Sequence, residues 1–200
     1  MDTNIAVWLN QAAQHGGLRQ LAELGAQFLV ALPVLVVAYL ALRSILRRDA
    51  TAAASLVVAG LGTAITLVAN VAATSWWYRA RPYTALHDVH ALIATNPESS
   101  FFSDHTIVAT GCALAALLVS RRWGIVLLAA AAAVGLARIA VGAHYPTDVL
   151  TAAAITTLAT VALLPARPKI AIVIGKLLNS LPASIAGRAT TTRPFRARVG

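Results

Sequence analysis

Charge is scarce in this chain, and cysteine almost absent. Only 12% of its 200 residues are Asp, Glu, Lys or Arg, 58% are hydrophobic, and the mean hydropathy is +0.73. So little polar surface cannot cover a water-soluble domain, and the composition points to a membrane protein. The single cysteine, Cys112, excludes an intramolecular disulfide. The N-terminus lacks a basic region, apolar core and small-residue cleavage site in that order, so no signal peptide is expected. No internal repeat is visible. His87 and His90 have the i, i+3 spacing of some metal sites, but no cysteine or clustered carboxylate joins them. They read as loop residues, and no metal is expected. The net charge of +9 invites a nucleic-acid reading. The basic residues, however, fall in loops between apolar runs instead of along one polar face, so no nucleic-acid partner is expected.

What is present is a series of apolar runs. Residues 3–22 mix Trp8 and several aliphatic residues with Asn, Gln and Arg19. That is too polar to span, and it reads as an interfacial amphipathic helix with Trp8 at headgroup level, broken at Gly16-Gly17. Runs at 24–42, 52–77, 103–120, 123–141 and 146–164 follow. Each is close to the roughly 20 residues that cross a hydrocarbon core of about 30 Å. The expected fold is all-α: an integral membrane bundle of about five transmembrane helices plus the N-terminal interfacial helix. Residues 1–166 form the membrane-embedded domain. Residues 167–200 form a basic, partly disordered cytoplasmic tail, whose apolar stretch 170–178 is too short to span and is expected on the membrane surface.

The basic residues orient this bundle. Arg43, Arg47 and Arg48 follow the first span, Arg121 and Arg122 follow the third, and the tail carries seven more. With regular alternation all of these lie on one side, which is cytoplasmic by the positive-inside rule. The N-terminus, the polar connection 79–102 and the turn 142–145 then share the extracytoplasmic side. Every polar group left over in the apolar sequence gathers there: Arg79 and Arg81, Ser103-Asp104-His105, and Arg138 with His144 and Asp148.

Ionisable groups beside hydrocarbon demand a function. His144 and Asp148 are spaced i, i+4. If both lie on one helix, Asp148 can accept the proton of one ring nitrogen and leave the other as a nucleophile; alternatively the pair only caps a helix opened by Pro146. Ser103-Asp104-His105 opens a span. The unpaired N–H groups of a helix N-terminus attract anions, Ser103 can add a hydroxyl, and His105 can act as a general acid; simple N-capping is the alternative. Arg81 and Arg138 offer planar forks suited to phosphate oxygens, or serve as interfacial anchors. Arg79 reads as an anchor, with an auxiliary phosphate contact as its other role. A scaffold or transporter subunit with path-lining polar residues is the competing class. Transporter sites, though, lie near the midplane, whereas these groups gather at one end.

The order Arg81-Pro82, Ser103-Asp104-His105, Arg138-x5-His144-x3-Asp148 resembles the three-part signature of the type 2 phosphatidic acid phosphatase superfamily, Lys-x6-Arg-Pro, Pro-Ser-Gly-His and Ser-Arg-x5-His-x3-Asp. It departs at Thr74 (for Lys), Phe102 (for Pro), Asp104 (for Gly) and Ala137 (for Ser). The Ser-Asp-His variant, with Asn70 upstream and His144-Tyr145-Pro146-x-Asp148 in the third motif, is similar to bacterial undecaprenyl-diphosphatases of the bacitracin-resistance type. The resemblance implies a metal-independent reaction without cofactor, on a polyprenyl diphosphate in the bacterial plasma membrane. His144 would attack phosphorus, Asp148 would steady it, and His105 would protonate the departing oxygen. Arg81, Arg138, Ser103 and the backbone N–H groups at 104–105 would hold the phosphate, with Arg79 a stand-in for the missing Lys. Phosphatidylglycerophosphate, phosphatidate and polyprenyl-phosphosugars are the alternative substrates.

Overall fold

A computed structural model of the chain describes residues 1–94, 99–180 and 182, and among them every regular element is helical. The N-terminal segment forms α1 (Asp2–Ala13) and α2 (Gly16–Gln27), and Gly16 makes the break in a left-handed conformation (φ +54°). α2 then bends by 41° into α3 (Ala31–Leu46). Pro33 has no N–H to give Leu29, and the chain tightens at the bend to i→i+3 bonds from Ala31 to Phe28 and from Leu32 to Leu29. α4 (Ala50–Trp76) is capped by Asp49, whose carboxylate accepts the Ala52 N–H at 2.9 Å. After the short α5 (Pro82–Ala85) come α6 (Asp104–Val119), α7 (Arg121–Ala140), α8 (Pro146–Leu163) and α9 (Arg167–Ser180).

The architecture is the expected all-α membrane bundle, although its spans differ in length. α4, α7 and the α8–α9 run are long and apolar enough to cross a membrane, and α2 with α3 passes as one bent span. α6 has 16 residues, about 24 Å, against a core of roughly 30 Å. It is the central helix, packing on α3, α4, α7 and α8, with Ala109, Ala113 and Ala116 interleaved among Val36, Leu40, Leu127 and Val134. Small residues let these helices approach closely. At Gly62 of α4 a side chain would run into the Thr160 backbone of α8.

The first part of the tail is helical. Residues 170–178 belong to α9, which prolongs α8 through a 3₁₀ turn at Leu164–Ala166 and lies along α4, with Gly175 against Ala50. The expected domain boundary at 166/167 therefore falls inside a helical run of 35 residues. The disorder expected of 183–200 lies outside the described residues.

The ends of the bundle are chemically distinct. Arg43 and Arg47 surround a small recess together with Val119, so the two basic loops share one end. The polar islands occupy the other.

Candidate functional site

At that end a cavity of about 550 Å³ is lined by Arg81, Asp104, His105, Arg138 and His144, together with Asn70, Thr74, Tyr78 and Phe101-Phe102. Three separated stretches of sequence thus meet as expected. Local structure explains how. Arg81 sits just before Pro82 in extended backbone, where proline disfavours helix, and caps α5. Asp104 and His105 are the first two residues of α6, whose N–H groups have no partner within the helix. Arg138 is in the last turn of α7, and His144 follows in the turn beginning at Gly142. That glycine has φ +79°, and a side chain there would press on Val89 and the His90 carbonyl.

His144 is almost fully buried, and its contacts fix its tautomer. Nδ1 lies 2.9 Å from the Ser100 carbonyl, which can only accept, so Nδ1 carries the proton. Nε2 faces the Arg138 guanidinium at 3.4 Å, which can only donate, so Nε2 presents its lone pair. Burial, then the Arg138 charge, pushes the imidazole down to about 3; the hydrogen bond to Ser100 opposes this, and the Arg81 and His105 charges add to it. Arg138 itself is buried, spends one weak bond on the Ala26 carbonyl at 3.5 Å, and leaves its Nε without a partner. A buried, under-satisfied guanidinium at a cavity wall suits an incoming anion.

Two of the expected neighbours stand behind the wall. Asp148 does not take the His144 proton. His144 precedes the helix, which begins at Pro146, so the i, i+4 rule for one helical face does not apply. Asp148 Oδ2 accepts instead the Ser100 hydroxyl at 2.6 Å and the Tyr145 N–H at 3.0 Å, which makes Asp148 a cap for α8, while Oδ1 accepts from Arg79. Ser103, fully buried, caps α6 by accepting the Thr106 N–H at 3.4 Å, leaving its own O–H proton to donate.

Arg79 does not line the cavity. It pairs with Asp148 and Asp2, bonds the Thr147 hydroxyl at 2.9 Å and stacks on Tyr145 with its guanidinium carbon 3.9 Å from the ring centroid. Burial would lower it, but the bonds and charges of Asp2 and Asp148 more than offset that and hold it above the ordinary arginine value. The position of the signature lysine is therefore not filled by Arg79. Thr74 lines the cavity and donates to its own helix at Val71.

Several site residues carry no sequence signal. Ser100 and Asp2 join through tertiary hydrogen bonds. Asn70, which the sequence resemblance includes, donates to Asp104 at 2.7 Å and to the Phe102 carbonyl at 3.3 Å. Asn10 of α1 donates to the His90 carbonyl at 2.9 Å and the Ala140 carbonyl at 2.8 Å, tying α1 to the turn that carries His144. Among the described residues His87 and His90 belong to no cluster of three metal-ligating side chains. An apolar cleft of about 390 Å³, lined by Val30 just before α3, by Val34 and Leu35 of α3 and by Val108 of α6, meets the cavity at Asp104 and His105.

Fold and site together define a class: an integral membrane helix bundle with a histidine-and-arginine cavity at one end and a greasy cleft leading to it. Residues 51–171 match the PAP2 superfamily, and the chain belongs to that superfamily. Undecaprenyl-diphosphatase BcrC of Bacillus subtilis (strain 168) is 40% identical over 92 residues, 46% of this chain and 47% of that protein. A Bacillus licheniformis protein named bacitracin transport permease protein BcrC is 33% identical over 93 residues, 46% of each. The chain thus spans about half the length of the curated relatives it matches. The crystal structure of Aquifex aeolicus LpxE shares the fold, with TM-score 0.60 over 82% of this chain and 94% of that one at 23% identity.

Proposed function

We propose that the chain is a membrane lipid phosphatase that cleaves a polyprenyl diphosphate, of undecaprenyl or decaprenyl type, to the monophosphate and inorganic phosphate. The observation that carries the reading is the cavity itself. Arg81, Arg138 and the N-terminus of α6 surround a space that a neutral His144 also lines, its unprotonated Nε2 beside Arg138. The apolar cleft at Asp104 and His105 supplies room for a chain that stays in lipid. The name of the Bacillus subtilis relative supports the diphosphate as substrate.

In this mechanism Arg81, Arg138 and the N–H groups at 104–105 hold the oxygens of the terminal phosphate, where charge concentrates in the transition state, with the Ser103 hydroxyl in support. His144 Nε2 bonds to the terminal phosphorus as the bond to the bridging oxygen breaks. His105 gives its proton to the departing lipid monophosphate. Water then attacks the phosphohistidine, His105 takes a proton from that water, the N–P bond breaks and inorganic phosphate leaves. Asp148 supports His144 through Ser100. The site faces the extracytoplasmic side and the C-terminus the cytoplasm.

Phosphate release from purified protein should be compared across polyprenyl diphosphate, phosphatidylglycerophosphate, phosphatidate and a polyprenyl-phosphosugar, with and without chelator. Fastest turnover of the diphosphate, insensitivity to chelator and near-complete loss in His144→Ala are expected. Faster turnover of a glycerolipid would reassign the substrate, and a chelator effect reversed by a divalent cation would overturn the mechanism. A topology reporter should read external near His90 and cytoplasmic after Gly200; the reverse would overturn the orientation.

A further inference from the structure

Asp148 is nearly inaccessible, does not line the cavity, and spends its hydrogen bonds on Arg79, Ser100 and Tyr145 instead of His144. Its link to His144 runs through Ser100, whose hydroxyl donates to Asp148 at 2.6 Å and whose carbonyl accepts from His144 Nδ1 at 2.9 Å. Its other oxygen is taken by Arg79. Arg79 is tied to the same loop by main chain as well, its carbonyl accepting the Ser100 N–H at 2.8 Å.

The guanidinium is clamped in turn. Asp2 at the start of α1 accepts from it at 2.7 Å, and Tyr145 lies beneath it. Asp2 also takes the N–H of Thr147 at 3.0 Å, one of the donors that the first turn of α8 leaves unpaired, and the Thr147 hydroxyl at 2.7 Å. The amino-terminal helix is thereby stitched to the helix that follows His144.

We infer that Arg79, Asp2 and Ser100 are positioning residues for His144: the Asp2–Arg79 clamp keeps Asp148 aimed at Ser100, and Ser100 sets the carbonyl that fixes the His144 tautomer. Two physical points support it. A buried carboxylate that loses its cationic partner must turn or recruit water, and either movement releases the Ser100 hydroxyl. A slackened Ser100 carbonyl then no longer holds the Nδ1–H tautomer, and the Nε2 lone pair ceases to be fixed toward the cavity. None of the three residues lines the cavity, so their loss should change how His144 is presented and not how phosphate is held.

The inference rests on His144 being the nucleophile, and the test separates the two. The steady-state kinetics of the full chain on polyprenyl diphosphate in detergent would be measured for Arg79→Gln, Asp2→Asn, Ser100→Ala and Ser100→Thr. Arg81→Gln serves as a phosphate-ligand control and His144→Asn as a nucleophile control. Arg79→Gln and Ser100→Ala should lower kcat by about 10- to 100-fold with KM within about twofold, because misplacement of a reacting group by an ångström acts on turnover. Ser100→Thr, which keeps the hydroxyl, should recover most of that loss, and Asp2→Asn should show a smaller fall. Nitrogen-15 spectra of histidine-labelled protein should show the Nδ1–H form of His144 in the parent and a tautomer mixture in Arg79→Gln.

Unchanged kcat and tautomer in Arg79→Gln and Ser100→Ala, with His144→Asn inactive, would overturn the positioning role and leave the phosphatase reading intact. A rise in KM for Arg79→Gln matching that of Arg81→Gln would make Arg79 a phosphate ligand and overturn the role by another route. Full activity of His144→Asn would remove the reading on which the inference rests.

Discussion

The neutral state of His144 makes acid stability a quantitative test of the site. In the folded protein this imidazole is pushed to about 3 by burial and then by the Arg138 charge, against an ordinary value of 6.5. Between those values the unfolded chain holds a proton that the folded one does not. Stability therefore rises with pH through this window, and the contribution is complete above about pH 6.5 and is lost as pH falls below it. At pH 4.5 the loss attributable to His144 is about 3 kcal/mol, at about 1.4 kcal/mol for each pH unit below 6.5. Carboxylates also titrate in this range, so the informative quantity is a difference between proteins. Unfolding of the parent and of His144→Asn, followed in detergent at pH 7 and pH 4.5, should show the parent losing about 3 kcal/mol more than the variant. Equal losses would refute the claim that the fold holds His144 neutral, and with it the electrostatic basis for a lone pair poised at Nε2.

Three further outcomes follow from the packing. Asn10→Ala strands the His90 N–H and the carbonyls of His90 and Ala140, and should cost about 3 kcal/mol in a detergent melt; a loss below about 1 kcal/mol would mean that α1 is not anchored there. Gly62→Val should cost about 2–3 kcal/mol, since its Cβ would stand 2.9 Å from the Thr160 Cα, whereas Gly60→Ala, with open space around it, should be neutral or slightly stabilising. Phe102→Pro restores the residue of the family signature, yet Phe102 has φ +43° and proline is locked near −65°. That variant should melt lower and release phosphate more slowly than the parent; full activity would contradict the left-handed backbone at this position.

Much of this site was legible because its determinants are local. Apolar runs mark helices, Pro146 marks a helix start, and the alternation of basic loops puts 79–81, 103–105 and 138–148 at one end. Those cues need no knowledge of packing. The spacing of His144 and Asp148 left two readings open for an equally local reason. Their spacing implies one helical face only if both residues are helical, and Pro146 opens the helix two residues after His144. The capping alternative was the better guide for Asp148. Ser100, Asp2 and Asn10 were invisible because each acts through a hydrogen bond to a residue far along the chain, and a single Ser, Asp or Asn in a loop or interfacial helix leaves no periodicity. Only Asn10 had a faint cue, a polar side chain in a helix whose apolar residues were assigned to the membrane. The length of α6 and the course of α9 depend on which helix each packs against, which composition does not report.

Two of the departures from the family signature are better understood as one change than as two. Phe102 stands where the signature has Pro, and Asp104 where it has Gly. A single side chain, Asn70, serves both, giving one N–H to the Phe102 carbonyl and another to the Asp104 carboxylate. A left-handed phenylalanine is strained by roughly 1–3 kcal/mol and persists only where its surroundings hold it. Here the Asn70 amide grips its carbonyl, and the Phe101 ring stacks on it at 4.4 Å. The same amide holds the Asp104 carboxylate on the α4 side of a cavity that Arg81 and Arg138 also line. Asn70, Phe102 and Asp104 thus form a coupled set. The stretch Phe102-Ser103-Asp104-His105 alone shows two substitutions, while the structure shows how Asn70 bonds to both.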